Sequence, residues 1–427
     1  MLVLRIAGDG IRQPVAVVRA GSAEMIPIKK WQAIFFAVCL MFIACNVFEI
    51  NRIVNQPNPG QISTMTYGWD YGVYVASVRA MSNGQNPYDF NIISTYENPI
   101  FGTVLIPDYP PHTFRFFQII NYFPIFDYRS LNVYYSIMGL LFLLALGILS
   151  GIDKKPDYVL LATFAVTGFM ALEWDIVTGN IPILFMFLLT VAFVLIAKGY
   201  YEWSGIVMGI SAAVSLFTAP FILLLFFTKR SLADRIKTIL LTCAITVSFF
   251  VMDAIFDHAL FLTYFQRTFG SSNTFIKPGG WLSPVLFLLL KDIIGNGILW
   301  IVICAAFIVT ILLLVGIYYK DNGPTLKTIS IAAAGIFILL PFAGPYDFII
   351  LVVPLYVLFK DSGFVIKTIA VSVAALPVLV NILCNTNALP FPLMYIQSIG
   401  LMGIFVLAWL CGTRIMPFGN GFRMHFS

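Results

Sequence analysis

The stretch of sequence that decides the topology is residues 204–228, SGIVMGISAAVSLFTAPFILLLFFT. It carries no charged residue and is long enough to cross a bilayer once as a helix. Pro220 lies inside it, however, and a proline within a helix removes a backbone hydrogen bond and disrupts the preceding turn. Two interpretations follow: a single crossing, or a re-entrant hairpin of two half-helices that enters the membrane and returns.

The composition of the whole chain places this stretch in a membrane protein. Of 427 residues, 60% are hydrophobic and 11% are charged, and the mean hydropathy is +0.92. A soluble globular protein has about 25% charged residues. A water-soluble enzyme is therefore excluded, and so is a disordered or nucleic-acid-binding chain, despite the net charge of +5. The fold class predicted is all-α, a polytopic transmembrane helix bundle.

Ten apolar runs are predicted to cross the bilayer as helices. They are 31–50, 131–150, 159–172, 181–197, 238–256, 298–319, 328–341, 348–360, 366–383 and 393–411.

The distribution of Lys and Arg chooses between the two interpretations of residues 204–228. If the segment is a hairpin, 18 basic residues lie on the cytoplasmic side and 7 on the outer side; if it crosses, the split is 11 to 14. Cytoplasmic loops carry the excess of Lys and Arg, so the hairpin is favoured. Both termini are then cytoplasmic, in a multi-pass protein of the plasma membrane. Residues 1–30 form a polar, basic cytoplasmic segment in which we expect no cleavable signal peptide, with either Met1 or Met25 as the start.

The chain is predicted to be a single membrane domain, 1–427, with function in two long outer segments. Segment 51–130 is too long for a mere connection, and segment 257–297 contains a flexible, glycine-rich stretch that we interpret as a lid on the acceptor side. Non-helical backbone at membrane depth is tolerated where it lines a protein cavity. The hairpin 204–228 therefore also indicates a binding cavity.

Residues 70–81 in the first outer segment have the periodicity of a helix. Apolar side chains recur at three- and four-residue steps from Tyr71 to Met81, which predicts a helix lying along the outer membrane surface, and Asn83-Gly84 supplies its C-terminal stop. Asp70 stands at the start. It is either a helix cap or a catalytic base at the mouth of a membrane cavity, and the two roles can coexist.

The order of short motifs here resembles glycosyltransferase family 87 of membrane glycosyltransferases. The motifs are Asp70-Tyr-Gly-Val-Tyr74, Gly84-Gln-Asn-Pro-Tyr88, Tyr109-Pro-Pro-His112 and Thr178-Gly179-Asn180, followed by Gly205 and Pro220 in the hairpin and Lys229-Arg230 after it. The resemblance covers residues 65–235. It implies a GT-C fold with amphipathic helices on the outer leaflet and a polyprenyl-phosphate-linked sugar donor. It also implies a hexosyltransferase of the mannose type that acts on a glycolipid or glycan acceptor at the non-cytoplasmic face, with Asp70 as the base.

Two positions depart from the family pattern. Ala219, after Thr218, stands where the family commonly has Lys before the hairpin proline, and the later outer turn has Tyr346 and Asp347 where many members have His. We expect an inverting, single-step transfer in which cations or donors stabilise the leaving phosphate. No metal-binding DxD motif is present, and no metal or cofactor is expected. The predicted substrate-binding residues are Tyr74, Arg79, Tyr88, Tyr109, His112, Arg115, Asn180, Thr218, His258, Tyr346 and Asp347.

Two other function classes are compatible with the sequence. A transporter or lipid flippase would account for the many spans and the broken helix, although the sequence shows no inverted repeat. A non-catalytic family member would account for the two departures.

Overall fold

The computed structural model describes residues 69–101, 107–120, 131–151, 175, 178–269, 298–338 and 345–361. Every regular element within these ranges is a helix, in agreement with the all-α prediction. The α-helices are α1 (Trp69–Ser82), α2 (Phe90–Phe101), α3 (Pro111–Ile120), α4 (Leu131–Gly151), α5 (Pro182–Ala197), α6 (Tyr201–Val214), α7 (Leu232–Phe256), α8 (His258–Phe269), α9 (Ile298–Asn322), α10 (Leu326–Ile338) and α11 (Val352–Asp361). Two 3-10 helices, Leu216–Phe227 and Pro345–Leu351, precede α7 and α11.

Helices α4, α5, α7, α9 and α10 lie on predicted crossings. Within the described part of the chain, α7 is long and apolar enough to cross a membrane by itself, and shorter apolar stretches accompany it at Tyr134–Leu149, Pro182–Ala197, Leu216–Phe227 and Leu326–Phe337. The remaining predicted crossings 31–50, 159–172, 366–383 and 393–411 lie outside the described residues, as does the N-terminal segment 1–30. The total of ten crossings therefore stays a prediction.

The predicted crossing 348–360 is a 3-10 helix followed by α11 rather than one continuous α-helix. Pro354 explains the change, because its ring lacks an N–H and would clash with the carbonyl of Ile350 in a continuous α-helix. The 3-10 helix places Asp347 in its first turn.

Helix α1 has the predicted bounds but not the predicted surroundings. Tyr71 and Tyr74 are buried as expected, but Val73, Ala76 and Ala80 on the opposite face are buried as well. The prediction of a single apolar face is therefore wrong for α1, whereas its position along the outer membrane surface stays a prediction. The reason is that its small residues allow neighbouring helices to approach, whereas the sequence pattern weighs mainly the large apolar side chains.

The turn after α1 forms where Asn83-Gly84 predicts it. Gly84 has a φ of +69°, a conformation that glycine adopts without strain. Its N–H donates to the Met81 carbonyl at 3.0 Å, and the N–H of Gln85 donates to the Ala80 carbonyl at 2.9 Å. These bonds satisfy carbonyl groups that the end of the helix leaves without partners.

Helix α6 and the 3-10 helix 216–227 form a helical hairpin. The chain is extended at Ser215, between two arms of similar length, about 21 and 24 Å by their rise per residue. At the open end, Arg230 Nη2 donates to Glu202 Oε2 at 3.1 Å, and the guanidinium lies 5.0 Å from the centre of the Tyr201 ring. The segment therefore returns to its starting level, which is the geometry that a re-entrant hairpin requires; its insertion into a membrane stays a prediction.

The hairpin packs against α7 through two glycines. A methyl group at Gly205 would lie 2.6 Å from Thr242 Oγ1, and one at Gly209 would lie 2.9 Å from the Thr242 carbonyl oxygen. Thr246 Oγ1 also donates to the Gly209 carbonyl at 3.0 Å. Glycines four residues apart thus allow close approach of the two backbones, as in helix pairs of membrane proteins.

Candidate active site

The side chain of Asn180 joins two parts of the first outer segment. The hydroxyl groups of Tyr74 and Tyr109 both donate to Asn180 Oδ1, at 2.5 and 3.1 Å. The hydroxyl of Tyr134, on α4, donates to the Asn180 carbonyl oxygen at 2.9 Å. Asn180 is 5% exposed, so these hydrogen bonds form largely out of contact with water.

The orientation of the Asn180 amide follows from its backbone neighbour. The N–H of Ile181 can only donate, and it lies 2.8 Å from Asn180 Oδ1. The oxygen of the amide is therefore on that side, and the amide nitrogen must face the opposite way. There Asn180 Nδ2 donates to Asp70 Oδ2 at 3.0 Å.

Asp70 lies in the first turn of α1 and is partly buried. The helix begins at Trp69, one residue before it, so Asp70 lies inside the first turn, where a negative charge is favoured by the helix dipole. A carboxylate that is oriented by a fixed donor and still reached by solvent can accept a proton from a bound hydroxyl group. The position thus allows both roles that the sequence leaves open, an electrostatic one at the helix start and that of a base.

The tyrosines around Asn180 are held as proton donors. Burial raises the pKa of Tyr74 well above its usual value, and the neighbouring Tyr109 and Asp70 raise it further. Burial also raises the pKa of Tyr109. Tyr88 fixes the backbone beside this pair, because its hydroxyl donates to the Tyr109 carbonyl at 2.7 Å. Tyr74, Tyr88, Tyr109 and Asn180, which the sequence analysis proposed separately, therefore belong to one cluster with Asp70.

Two further carboxyl groups are buried beside the cluster. Asp175 is 2% exposed and Asp347 is 8% exposed. Both oxygens of Asp175 lack a hydrogen-bond partner in the structure. Burial raises the pKa of Asp175 well above its usual value, and the charges of Asp347 and then Asp70 raise it further, so the three carboxyl groups lie close enough to interact. The sequence predicts Asp347 as a substrate-binding residue.

Asp175 was not predicted as a site residue; the sequence shows it as one of several outer acidic residues. The available signal is its place in Glu173-Trp-Asp175-Ile-Val-Thr-Gly-Asn180, a short polar stretch between two apolar runs.

His112 is bound on both sides of its ring. Nδ1 lies 2.6 Å from Asp253 Oδ2, and Nε2 lies 2.8 Å from the carbonyl oxygen of Ala213 at the turn of the hairpin. Thr113 Oγ1 donates to the next carbonyl, that of Val214, at 3.2 Å. Helix α3 of the first outer segment is therefore fastened to the turn of the hairpin, and His112 joins these parts rather than the Asp70 cluster.

The remaining predicted site residues lie apart from Asp70 or outside what is described. Arg79 is nine residues further along α1, about 180° around the helix from Asp70. Arg115 forms an ion pair with Asp257, and Thr218 is bonded to Ser211 within the hairpin. His258 is exposed at the start of α8. The Tyr346 side chain is outside the described residues, as are residues 270–297 of the outer segment that contains the predicted lid.

The sequence model of glycosyltransferase family 87 matches residues 108–341. No curated protein matches the chain significantly. Two solved structures of ArnT from Cupriavidus metallidurans are similar in fold. The one bound to undecaprenyl phosphate has 13% identity and a TM-score of 0.40, and the one in the apo state has 12% identity and a TM-score of 0.37. Each match covers 90% of this chain and 77% of the ArnT chain.

The family match spans more than half of the chain and includes Tyr109, Asn180 and the hairpin. The motifs Asp70–Tyr74 and Gly84–Tyr88 lie before the matched range. The match confirms the family that the short motifs indicate, and the chain belongs to glycosyltransferase family 87.

Proposed function

We propose that this glycosyltransferase is an integral membrane enzyme that takes a sugar from a polyprenyl-phosphate donor. It transfers the sugar, of the mannose type, to a lipid or glycan acceptor on the non-cytoplasmic face, with inversion at the anomeric carbon. Asp70 is the general base. The observation that carries the proposal is the contact between Asp70 Oδ2 and Asn180 Nδ2, made inside a buried network of tyrosines at the outer segment.

The contact supports a base because it positions the carboxylate without neutralising it. Asn180 Nδ2 is an uncharged donor, so this contact does not itself neutralise the carboxylate or use up its capacity to accept a proton. The acceptor hydroxyl group transfers its proton to Asp70 as its oxygen bonds to the anomeric carbon. The bond from that carbon to the phosphate oxygen breaks with its electron pair leaving on the phosphate, so one displacement inverts the configuration.

The leaving phosphate gains negative charge and requires donors. Arg115 and Arg267 lie on the outer side but already bind carboxylates, Asp257 and Asp108. In this proposal either arginine exchanges its carboxylate partner for the phosphate when the donor binds. Lys277, in the lid stretch outside the described residues, and His258 are the other outer-side candidates.

The test uses the full-length protein in lipid nanodiscs with radiolabelled polyprenyl-phosphate mannose and a lipid extract from its host. Asp70→Asn keeps the shape of the side chain and the helix position but removes the base, and we expect its rate to fall about 10²–10⁴-fold. Asp89→Asn is the matched control. Asp89 is an exposed carboxylate in the same outer segment whose Oδ1 accepts from the Asn91 N–H, a role that asparagine also fills.

Equal turnover by the wild type and Asp70→Asn would show that Asp70 is not the general base. Uptake of a solute into sealed liposomes without any sugar transfer would favour a transporter, and absence of both activities would favour a non-catalytic member of the family. The configuration of the product at the anomeric carbon, read by NMR, tests inversion separately.

A further inference from the structure

Asp175 is a buried acid that the proposed mechanism does not use. Its side chain is almost fully enclosed, and neither of its oxygens has a hydrogen-bond partner in the structure. Buried polar groups in folded proteins are nearly always hydrogen-bonded, and an exception requires a specific explanation. An absent ligand that bonds to the carboxyl group is one such explanation.

The surroundings of Asp175 identify it with the candidate active site. The carboxyl groups that act on it electrostatically are those of Asp347 and Asp70. Asp175 also interacts electrostatically with Tyr134, whose hydroxyl donates to the carbonyl of Asn180. Asn180 in turn holds Asp70. The backbone carbonyl of Asp175 also accepts from the Gly179 N–H at 2.9 Å, one residue before Asn180, so the unsatisfied carboxyl group lies near the same cluster as the proposed base.

One explanation within the protein is excluded by the contacts. If Asp175 and Asp347 shared a proton, an oxygen of Asp175 would have a hydrogen-bond partner, and neither does. The described residues contain no group of three or more His, Cys, Asp or Glu arranged to hold a metal ion, so they do not indicate a cation as the partner of Asp175.

A neutral carboxyl group in this place has one donor and one acceptor to offer. Burial and the adjacent negative charges raise the pKa of Asp175, so the neutral form is the one that this environment favours. A sugar hydroxyl group both donates and accepts one hydrogen bond, and it satisfies both oxygens of a neutral carboxyl group. A phosphate or a carboxylate does not, because it adds negative charge beside Asp347 and Asp70.

We propose that Asp175 binds a ring hydroxyl group of the transferred sugar and so sets which sugar the enzyme accepts. The inference rests on the proposed function, since it assumes that a sugar occupies the space beside Asp70. It assigns Asp175 a role different from that of the base: Asp70 must be ionised to accept a proton, whereas Asp175 acts in its neutral form and takes no part in proton transfer.

The test compares sugar donors that differ by one hydroxyl group. Full-length wild type in nanodiscs is supplied with polyprenyl-phosphate mannose and with its 2-, 3-, 4- and 6-deoxy analogues, and kcat/KM is measured for each. A site built around a substrate hydroxyl group strongly rejects an analogue that lacks it, because the buried protein group is left unpaired. We expect one analogue to be disfavoured by about 10²-fold or more, and Asp175→Ala to reduce that preference to less than about 10-fold.

The isosteric variant Asp175→Asn separates this role from that of a base and from a purely structural one. Asparagine keeps a donor group on one side and an acceptor oxygen on the other, so we expect Asp175→Asn to retain mannose transfer to within about 10-fold and to keep most of the hydroxyl preference. Asp70→Asn, measured beside it, should lose about 10²–10⁴-fold in rate. A structural defect would instead lower kcat/KM for all five donors by the same factor.

The outcomes distinguish this inference from the proposed function. If the wild type transfers mannose in an Asp70-dependent way and Asp175→Ala retains the full hydroxyl preference, the inference is wrong and the function stands. If Asp175→Asn loses as much as Asp70→Asn, Asp175 acts as an ionised group and the inference is wrong. A divalent-cation requirement that Asp175→Ala abolishes would also overturn it. If the wild type transfers no sugar from any donor, both proposals are wrong.

Discussion

Asn180 Nδ2 donates to Asp70 Oδ2 at 3.0 Å, although 110 residues separate the two in the sequence. The amide cannot rotate to present its oxygen instead, because the Ile181 N–H and the hydroxyl of Tyr74 already donate to that oxygen. Asp70 thus receives a fixed, uncharged donor, which orients the carboxylate and leaves its charge in place.

Replacing Asn180 with Asp should impair the enzyme more than its small change in shape suggests. The substitution removes the donor to Asp70 and sets a second carboxylate against the first. A hydrogen bond to a charged group contributes about 1.5–3 kcal/mol, so we expect kcat/KM to fall by about 10- to 150-fold. The measurement is mannose transfer by purified Asn180→Asp in nanodiscs, with its thermal unfolding recorded alongside. A rate within twofold of the wild type would show that the contact does not position Asp70.

Removing the Tyr74 hydroxyl should affect stability more than rate. In Tyr74→Phe, Asn180 Oδ1 retains two donors, Tyr109 and the Ile181 N–H, so the amide keeps its orientation. We expect the free energy of unfolding to fall by about 0.5–1.5 kcal/mol and kcat/KM to change less than about 10-fold. Tyr96→Phe is a suitable control because that hydroxyl bonds to exposed side chains of the same outer segment. A large loss of rate in Tyr74→Phe would mean that the hydroxyl contacts substrate.

Gly209→Ala tests the close packing of the hairpin on α7. The added methyl group would lie 2.9 Å from the Thr242 carbonyl and 3.0 Å from Ile245 Cβ, so a backbone has to move. Overpacking of this kind costs about 1–3 kcal/mol. Gly139→Ala in α4 is the matched control, because nothing lies within 4 Å of its new methyl group and alanine favours a helix over glycine by about 1 kcal/mol. The expected result is a lower unfolding temperature for Gly209→Ala and an equal or higher one for Gly139→Ala.

Replacing both His112 and Asp253 should lower the free energy of unfolding by less than the sum of the two single replacements. Both side chains are nearly buried, and Asp253 also accepts from the His112 backbone N–H at 3.3 Å. Removing one partner leaves the other buried without its hydrogen bond, which costs about 1–3 kcal/mol. We therefore expect His112→Leu and Asp253→Leu each to destabilise the protein strongly, and the double variant to be less destabilised than the sum of the two. Additive losses in the unfolding measurements would show that the residues do not act as a pair.

The pH dependence of stability should contain a contribution from Asp175. Its pKa is raised in the folded protein, mainly by burial, so the native state binds more protons than the unfolded state above the ordinary carboxyl pKa of about 4. The stability that it contributes is fully present below that unfolded value and is lost as pH rises through the raised native pKa. We expect the free energy of unfolding of the wild type to decline with pH over this window relative to Asp175→Asn. Parallel curves for the two proteins would contradict the shift.

The helical class and the bounds of α1 follow from local sequence. The turn of the hairpin lies at Ser215, five residues before the Pro220 at which the sequence predicts it. Periodicity predicts α1, Asn83-Gly84 predicts its end, and Pro220 disrupts the second arm of the hairpin, because each of these effects depends on residues within one or two turns. The burial of α1 on all sides was not predictable in this way. It depends on which neighbours its small residues allow to approach, and those neighbours come from distant parts of the chain.

The candidate site divides in the same manner. The sequence by itself determined that this is an apolar helical chain of family 87 with a carboxylate at Asp70, because composition and short motifs are carried by adjacent residues. The tertiary structure alone decided that Asn180 holds Asp70, that His112 serves the turn of the hairpin, and that Asp175 is buried without a partner. Hydrogen bonds and desolvation act over a few ångströms in space, whereas the groups that are hydrogen-bonded here stand about 100 residues apart or more along the chain. The sequence also does not distinguish a buried aspartate such as Asp175 from an exposed one.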